Sequence, residues 1–448
     1  MNKRILGLAL PNIVTNITVP LLGMVDMAIV GHLSAAHIGA ITIGASIFNL
    51  IYWNFGFLRM GTSGFTAQAF GAQRWDEALK ILVRACAIAL GIALTLIALQ
   101  RPIALLVPVI FEGGSEVMGM ALTYFSIRIW AAPATLGLYA VKGWFIGMQD
   151  SKTPMWIAIA LNCVNILASL LFVLVLRWDI AGVALGTVIA QYSGLALGIL
   201  FLHRKMRNDR NLSIFNFQFS IIKKALRWQD MRRFFKVNGD IFLRTLCLSA
   251  VFTFITAASG RIGDQVLAVD ALLLQFFTLF SYIMDGFAYA GESLVGRYIG
   301  ARDPRNLRLS VRLLLLWGLA LTALFTALYA LFSQPFLHLF TSDQAIIDAA
   351  GDYLFWVLVI PVCGFAAFLF DGIFIGATAS RTMLYAMLVA TAAFFALYFG
   401  LKSLYTIHCT LSTQTWNHIL WIAFMAYLLL RGILQGIRLK KDIYSQAA

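Results

Sequence analysis

The 448 residues are 61% hydrophobic and 12% charged, with 34 Lys and Arg against 20 Asp and Glu for a net charge of +14. Soluble domains carry about 25% charged residues, so this composition excludes an ordinary soluble protein and points to an all-α polytopic membrane protein. The basic balance does not argue for nucleic acid, because the Lys and Arg residues sit in connections between apolar runs and no nucleic-acid-binding module is present. Anionic membrane lipid is the partner that such placement implies.

The first stretch, Leu6 to Gly31, is long enough to cross a bilayer yet holds Pro11, Pro20 and a carboxylate, Asp26. An acid within the hydrocarbon costs about 2.5–3.5 kcal/mol on insertion scales, so it belongs against a cavity or a partner. The start, MNKR, lacks a small-residue cleavage site downstream, and the segment reads as an uncleaved first span. Twelve apolar segments follow in all, near 6–31, 38–59, 80–100, 119–142, 154–176, 180–203, 236–259, 266–291, 311–333, 347–376, 382–401 and 415–437. Only Arg101, Arg177, Arg261 and Lys402 fall in loops after odd-numbered segments. Arg128 and Arg244 lie within spans, and the other 28 of the 34 basic residues lie on the opposite side. The positive-inside rule makes that side cytoplasmic and places both termini there, which for a bacterial protein means the inner membrane.

The longest connection, His203 to Lys236, holds ten Lys or Arg and two Asp. Its portion from Leu212 to Trp228 reads as an amphipathic segment lying on the membrane surface. Three parts follow: a first six-helix bundle over 1–203, a basic cytoplasmic linker over 204–235 and a second six-helix bundle over 236–448. The bundles are related by an internal repeat. Lys142 to Met155 (KGWFIGMQDSKTPM) aligns with Asp371 to Leu384 (DGIFIGATASRTML) at a spacing of 229 residues. At the same spacing Gly31 matches Gly260, Gly71-Ala72 matches Gly300-Ala301, and Tyr124 matches Tyr353. Six helices per copy give both copies the same entry side, so the pseudo-two-fold axis runs along the membrane normal, with the substrate path between the halves.

No chemistry of the enzymatic kind is legible. The five cysteines (Cys86, Cys163, Cys247, Cys363 and Cys409) are odd in number, lie mostly within apolar runs and show no metal-ligand spacing. The six histidines are scattered, and no Walker sequence or Gly-rich phosphate loop occurs. Neither a cofactor, a metal centre nor catalysis is expected.

Pro11, Asp26 and Gly31 in the first segment, the Gly71-Ala72 loop and GMQDSKTPM after the fourth segment together resemble the multidrug and toxic compound extrusion family. The stretches IMDGFAYAGESLVGRYIGA (Ile283 to Ala301) and DGIFIGATAS (Asp371 to Ser380) look like its DNA-damage-inducible protein F branch. The resemblance implies two six-helix bundles around a V-shaped central cleft, and a secondary active antiporter that exports organic cations or amphiphilic drugs for H⁺ or Na⁺; a monomer is the expected state. It also implies a cation site in the first bundle, which maps onto Asp26, Asn165 and Thr187. A second family acid falls on Ser169, where this chain departs from the pattern.

That departure bears on the ion. A buried Na⁺ site wants several hard oxygens and more than one negative charge, whereas a single carboxyl in an apolar cavity suits a proton carrier. H⁺ coupling is therefore expected over Na⁺, with Asp26 as the protonation switch. Asn162 shares the helical face of Asn165. Each residue has a plainer role open to it: Arg128 neutralises Asp26, and Asn165 and Thr187 tie neighbouring helices. Met24 and Met27 flank Asp26 as adaptable apolar contacts for substrate or as ordinary lipid-facing residues. Lys142 and Asp371 occupy equivalent positions with opposite charge. Asp371 pairs either with Arg244 inside the second bundle or with Lys142 across the cleft, as a latch. Asp285 and Glu292, seven apart on one face, receive a cationic substrate or pair with Arg297 and Arg302. The alternative function is a flippase or exporter of a lipid-linked or amphiphilic metabolite, which would need basic residues in the spans.

Overall fold

In the computed structural model, residues 1–31, 34–111, 114–208, 224–408 and 412–447 are described. They form helices joined by short turns, and among the described residues no strand occurs. The order begins α1 (Asn2–Gly31), α2 (Ala35–Asn54), α3 (Phe57–Gly71), α4 (Trp75–Ala98), α5 (Gln100–Ile110), α6 (Ser115–Arg128), α7 (Ala132–Gly147), α8 (Lys152–Leu170) and α9 (Asp179–Asn208). It continues with α10 (Trp228–Ile262), α11 (Asp264–Gly300), α12 (Pro304–Phe340), α13 (Gln344–Gly351), α14 (Leu354–Gly376), α15 (Ser380–His408) and α16 (Thr413–Asp442).

Eleven spans among the described residues are long and apolar enough to cross a membrane, with α2 and α3 together making one of them. The expected fourth segment is present as two shorter helices. α6 ends at Arg128, a 3₁₀ turn covers Ile129–Ala131, and α7 opens with Pro133 in its first turn. Proline is accommodated in a first turn because its missing N–H has no partner there, whereas in a continuous helix it would leave the Ile129 carbonyl, four residues back, without its bond. The break therefore lies where Pro133 puts it. The protein is an integral membrane protein built of two lobes of helices.

The repeat predicted from sequence extends to the backbone. α3 ends at Gly71 and α11 at Gly300, while α7 ends at Gly147 and α14 at Gly376, each pair 229 apart. Each of the four ends closes with a left-handed residue two positions on: Gln73, Arg302, Gln149 and Thr378, with φ of 55°, 51°, 62° and 53°. The closing bonds also match, for instance Met148 N–H to Trp144 O and Asp150 N–H to Phe145 O against Ala377 N–H to Ile373 O and Ala379 N–H to Phe374 O. This is the paired-bond closure of a helix C-terminus.

Close helix packing repeats too: α3 packs on α7, and α11 on α14. A methyl group built on Gly143 would strike the Arg59 carbonyl, and one on the equivalent Gly372 would strike that of Ala288. These glycines set how closely the backbones approach. Gly143→Ala and Gly372→Ala should each destabilise the protein by roughly 1–3 kcal/mol, the usual cost of overpacking. Thermal unfolding of the purified variants, with surface-facing Gly91→Ala as control because nothing lies near its added methyl, measures this.

The chain divides into two units. One comprises Leu10–Asn238, and the other Met1–Ala9 with Gly239–Ala448. Within the second, the first turns of α1 are held by Arg4 Nη1 donating to Tyr298 Oη at 3.2 Å and by Trp317 Nε1 donating to Asn2 Oδ1 at 3.3 Å. α1 and α10 thus each begin in one unit and continue in the other. In the first unit the buried Arg84 of α4 donates to the Ala225 carbonyl at 2.7 Å and meets Glu77 at 2.7 Å and Asp230 at 3.2 Å. These bonds dock the end of the basic connection. The surface segment expected over Leu212–Trp228 lies, as far as residue 223, outside the described residues. Cys86, Cys163, Cys247 and Cys363 are free thiols, and Cys409 lies outside the described residues.

Candidate functional site

α1 carries weak points along its length. Pro11 and Pro20 interrupt its hydrogen-bond ladder, and Thr15 and Thr18 turn their hydroxyls back to the Pro11 and Thr15 carbonyls. Three polar contacts compensate by tying α1 to α8 and its preceding turn. Asn12 Nδ2 donates to Ser151 Oγ at 3.0 Å, Asn162 Nδ2 to the Thr18 carbonyl at 2.9 Å, and Ser169 Oγ to Asp26 Oδ1 at 3.4 Å. Both sequences ascend through these contacts, so α1 and α8 run parallel.

The last rung is the candidate coupling site. Asp26, Asn165, Ser169 and Thr187 are each at most 5% exposed. Asn165 Nδ2 donates to Thr187 Oγ1 at 3.1 Å, and Thr187 Oγ1 donates to the Val183 carbonyl. Gly186 makes the approach of α9 possible, since a methyl group there would lie 2.7 Å from Ser169 Oγ. Asn165 Oδ1 is buried without a hydrogen-bond partner, which leaves one hard oxygen close to the pair. Asn162 does not join this cluster; its amide is spent on α1's backbone.

Arg128 stands at the end of α6 where the helix breaks. Its Nη1 donates to Tyr124 Oη at 2.6 Å, and its guanidinium lies 4.8 Å from the Phe48 ring centre, a cation–π arrangement. It acts on Asp26 through its field without closing an ion pair within 4 Å, and Tyr124 lies within the field of the same carboxylate. The cluster thus holds one acid and one cation, and the cation is bonded to a tyrosine. Met24 and Met27, either side of the buried Asp26 in sequence, are both exposed.

The remaining residues named from the sequence fall elsewhere. Lys142 of α7 has no hydrogen bond or ion pair among the described residues, and the Arg59 guanidinium is close enough to act on it. In the second unit Asp371 is buried among α10, α14 and α16. Its Oδ2 accepts from Arg244 and, at 2.6 Å, from Arg431, and its Oδ1 accepts from Gln435 at 3.0 Å. Of the two partners weighed from sequence, Arg244 is the one found on Asp371. Asp285 lies within the field of Arg431, whereas Glu292 is wholly buried where α11 meets Gly376.

Sequence reasoning passed over Arg431, Gln435 and Asp270. The signal for each was a lone polar residue in an apolar run: LLLRGILQG for the first two and AVDALLL for the third. Arg431 and Gln435 stand four apart, so one helical face presents both to Asp371.

The MatE family model matches residues 11–171 and 241–399. The chain is 37% identical over 435 residues to the DNA damage-inducible protein F of Escherichia coli (strain K12), covering 96% of this chain and 90% of that protein. It is 24% identical over 400 residues to a probable multidrug resistance protein NorM of Photorhabdus laumondii, covering 86% and 84% of the two. A solved outward-facing multidrug resistance MATE family transporter of the MOP superfamily superposes with a TM-score of 0.83 at 20% identity, over 98% of this chain and 96% of that one.

Proposed function

The chain belongs to the multidrug and toxic compound extrusion family, and on that premise we propose an antiporter that exports organic cations and amphiphilic drugs in exchange for H⁺. Asp26 is the group protonated and ionised in turn. It works in the cytoplasmic membrane as a monomer, with both termini on the cytoplasmic side. The observation that carries the choice of H⁺ is one buried carboxylate within the field of a guanidinium, with Ser169 where a second acid would serve Na⁺. A sodium ion at Asp26 would sit in the field of Arg128 with one negative charge to balance it, whereas a proton needs no further ligand.

The cycle follows from the cluster's own residues. Ionised Asp26 draws on the Ser169 hydroxyl and on the field of Arg128. Protonated Asp26 loses the attraction of Arg128 and keeps only a neutral hydrogen bond from Ser169, so the outer rung between α1 and α8 weakens. Because Pro20 and the back-bonded Thr15 and Thr18 already soften α1, a change in that rung has a helix able to respond. Protons moving inward drive this at about 2.3 kcal/mol per charge per 100 mV of membrane potential, plus the pH gradient.

The test is efflux of a fluorescent organic cation from proteoliposomes under pH and Na⁺ gradients imposed separately. A pH gradient alone should drive transport and a Na⁺ gradient alone should not; the reverse result overturns the proposal. Ser169→Asp supplies the missing acid. It should confer a Na⁺ response absent from the wild type, read in the same vesicles.

One observation favours the second reading, a lipid-linked or amphiphilic cargo with an anionic head: Lys142, with Arg59 nearby and, among the described residues, no carboxylate bonded to it. That reading predicts that anionic amphiphiles compete with the reporter cation, and that Lys142→Met abolishes the competition.

A further inference from the structure

The first unit carries an apolar groove that the coupling mechanism does not use. It has a volume of about 510 Å³ and runs past Ala87, Gly91 and Thr95 of α4, with Phe55 of the α2–α3 turn and Met231 and Phe235 of α10 also lining it. Ala87, Gly91 and Thr95 stand four apart, so they share one face of α4 and carry the groove about 12 Å along the helix. Gly91 keeps it open, since nothing lies within 4 Å of a methyl group built there. Thr95 offers the groove no free donor, because its hydroxyl is spent on the Gly91 carbonyl at 2.9 Å.

The α10 wall is held in place by the chain that leads into it. Arg84 of α4 binds the Ala225 carbonyl and Asp230, which fixes the first turn of α10 against α4. The same contacts set the level of the groove in the membrane. Trp228, the first residue of α10, is 73% exposed, and a tryptophan at the end of a spanning helix belongs among the headgroups. Met231 and Phe235 come about one and two turns further in, as Ala87, Gly91 and Thr95 follow Arg84 into the span. The groove therefore starts at the membrane surface and runs inward.

Its mouth is basic. Arg227, Arg232 and Lys236 are exposed, and none forms an ion pair among the described residues. Arg227 stands one turn before Met231, while Arg232 and Lys236 each directly follow a residue that lines the groove. Lys236 is the deepest of the three, and its long stem can carry the ammonium outward to the headgroups. The nearby acids are already engaged: Asp230 by Arg84, and Glu77 by Arg84 and Lys80. Arg233 is turned over the Phe65 ring and takes no part.

We infer that this groove is a site for one anionic phospholipid, with an acyl chain along α4 and the phosphate head on Arg227, Arg232 and Lys236. The uncommitted cations give the sign of the head, and the apolar lining gives the chemistry of the tail. A peptide segment is a poorer occupant. Its backbone N–H and C=O groups would go unsatisfied in a groove without free polar partners, whereas a hydrocarbon chain has none to satisfy. The lipid touches α4 and the start of α10 together, and so fastens the basic connection to the first unit.

The experiment is photolabelling of the intact protein in phosphatidylcholine vesicles. A trace of phosphatidylglycerol with a diazirine in one acyl chain is compared with a phosphatidylcholine probe of the same chains, and labelled residues are read by mass spectrometry. The phosphatidylglycerol probe should label residues 87–95 and 231–235 well above the phosphatidylcholine probe. Exposed Leu316 and Leu319 of α12 should take both equally, as ordinary lipid contacts. Arg232→Gln/Lys236→Gln should cut the excess roughly fivefold for each cation removed. Gly91→Phe should remove labelling of the groove by either probe. Equal labelling of the groove by the two lipids overturns the inference, as does phosphatidylglycerol labelling that survives Gly91→Phe. A groove left unlabelled in the wild type also overturns it, and gives the space to the chain itself. If Gly91→Phe does not assemble, the double charge variant, confined to exposed side chains, decides alone: an undiminished excess there overturns the site. The readout is a lipid cross-link, so it does not depend on which ion or cargo the protein carries.

Discussion

Asp26→Asn should reduce pH-driven efflux to the level of empty vesicles while the protein stays folded and still exchanges substrate for substrate. Asn has the volume of Asp and its amide oxygen still accepts from Ser169, so the third rung between α1 and α8 survives. What is lost is the ability to change charge. Without it, the two states of the outer rung collapse into one, and no proton can be carried across. Substrate counterflow at equal pH needs no proton and should continue, which separates a coupling defect from a binding defect. Arg128 raises a rival explanation, since the variant leaves its guanidinium without the carboxylate's field. Asp26→Asn/Arg128→Gln removes that imbalance. If the double variant regains pH-driven transport, Asp26 served only to balance Arg128; the expected result is that it stays uncoupled.

The sequence told where to look for that site but not how it is assembled. An acid between two prolines and a glycine in a spanning segment is costly enough to be conspicuous, and hydropathy alone locates the segments. The 229-residue repeat even anticipated backbone detail, because the residues that permit close packing, such as Gly143 and Gly372, recur in register. The division of labour between Asn165 and Asn162 was not legible. Both lie on one face of α8, and only the packing shows that one meets Thr187 while the other is spent on the Thr18 carbonyl. The break in the fourth span was equally hidden. Pro133 lies inside an unbroken apolar run, and hydropathy does not register a helix that ends and restarts within the membrane. Arg431 was missed for a related reason: it lies in a span where a search for motifs had no template, and its partner Asp371 is 60 residues away.

Arg431 changes the expected outcome of perturbing Asp371. A buried carboxylate shared by two guanidinium groups leaves both uncompensated when it is removed, and breaking a buried pair in this way costs about 3–5 kcal/mol. Asp371→Asn should therefore lower thermal stability more than any single change at the Asp26 cluster, where the one cation is already held by Tyr124 and Phe48. A charge-reversal test designed on a simple pair would mislead. Arg244→Asp/Asp371→Arg restores one attraction but sets the new arginine against Arg431, whose Nη2 shares the same carboxylate oxygen. Lys142→Asp/Asp371→Lys fares worse, because it leaves both Arg244 and Arg431 facing a cation. Neither double variant should recover wild-type melting or transport. Adding Arg431→Gln to the Arg244→Asp/Asp371→Arg reversal should recover stability. The triple variant retains one ion pair, and the introduced glutamine together with Gln435 supplies hydrogen bonds without a second charge. Full rescue by either two-residue reversal would sink the three-residue account and return Asp371 to a single partner.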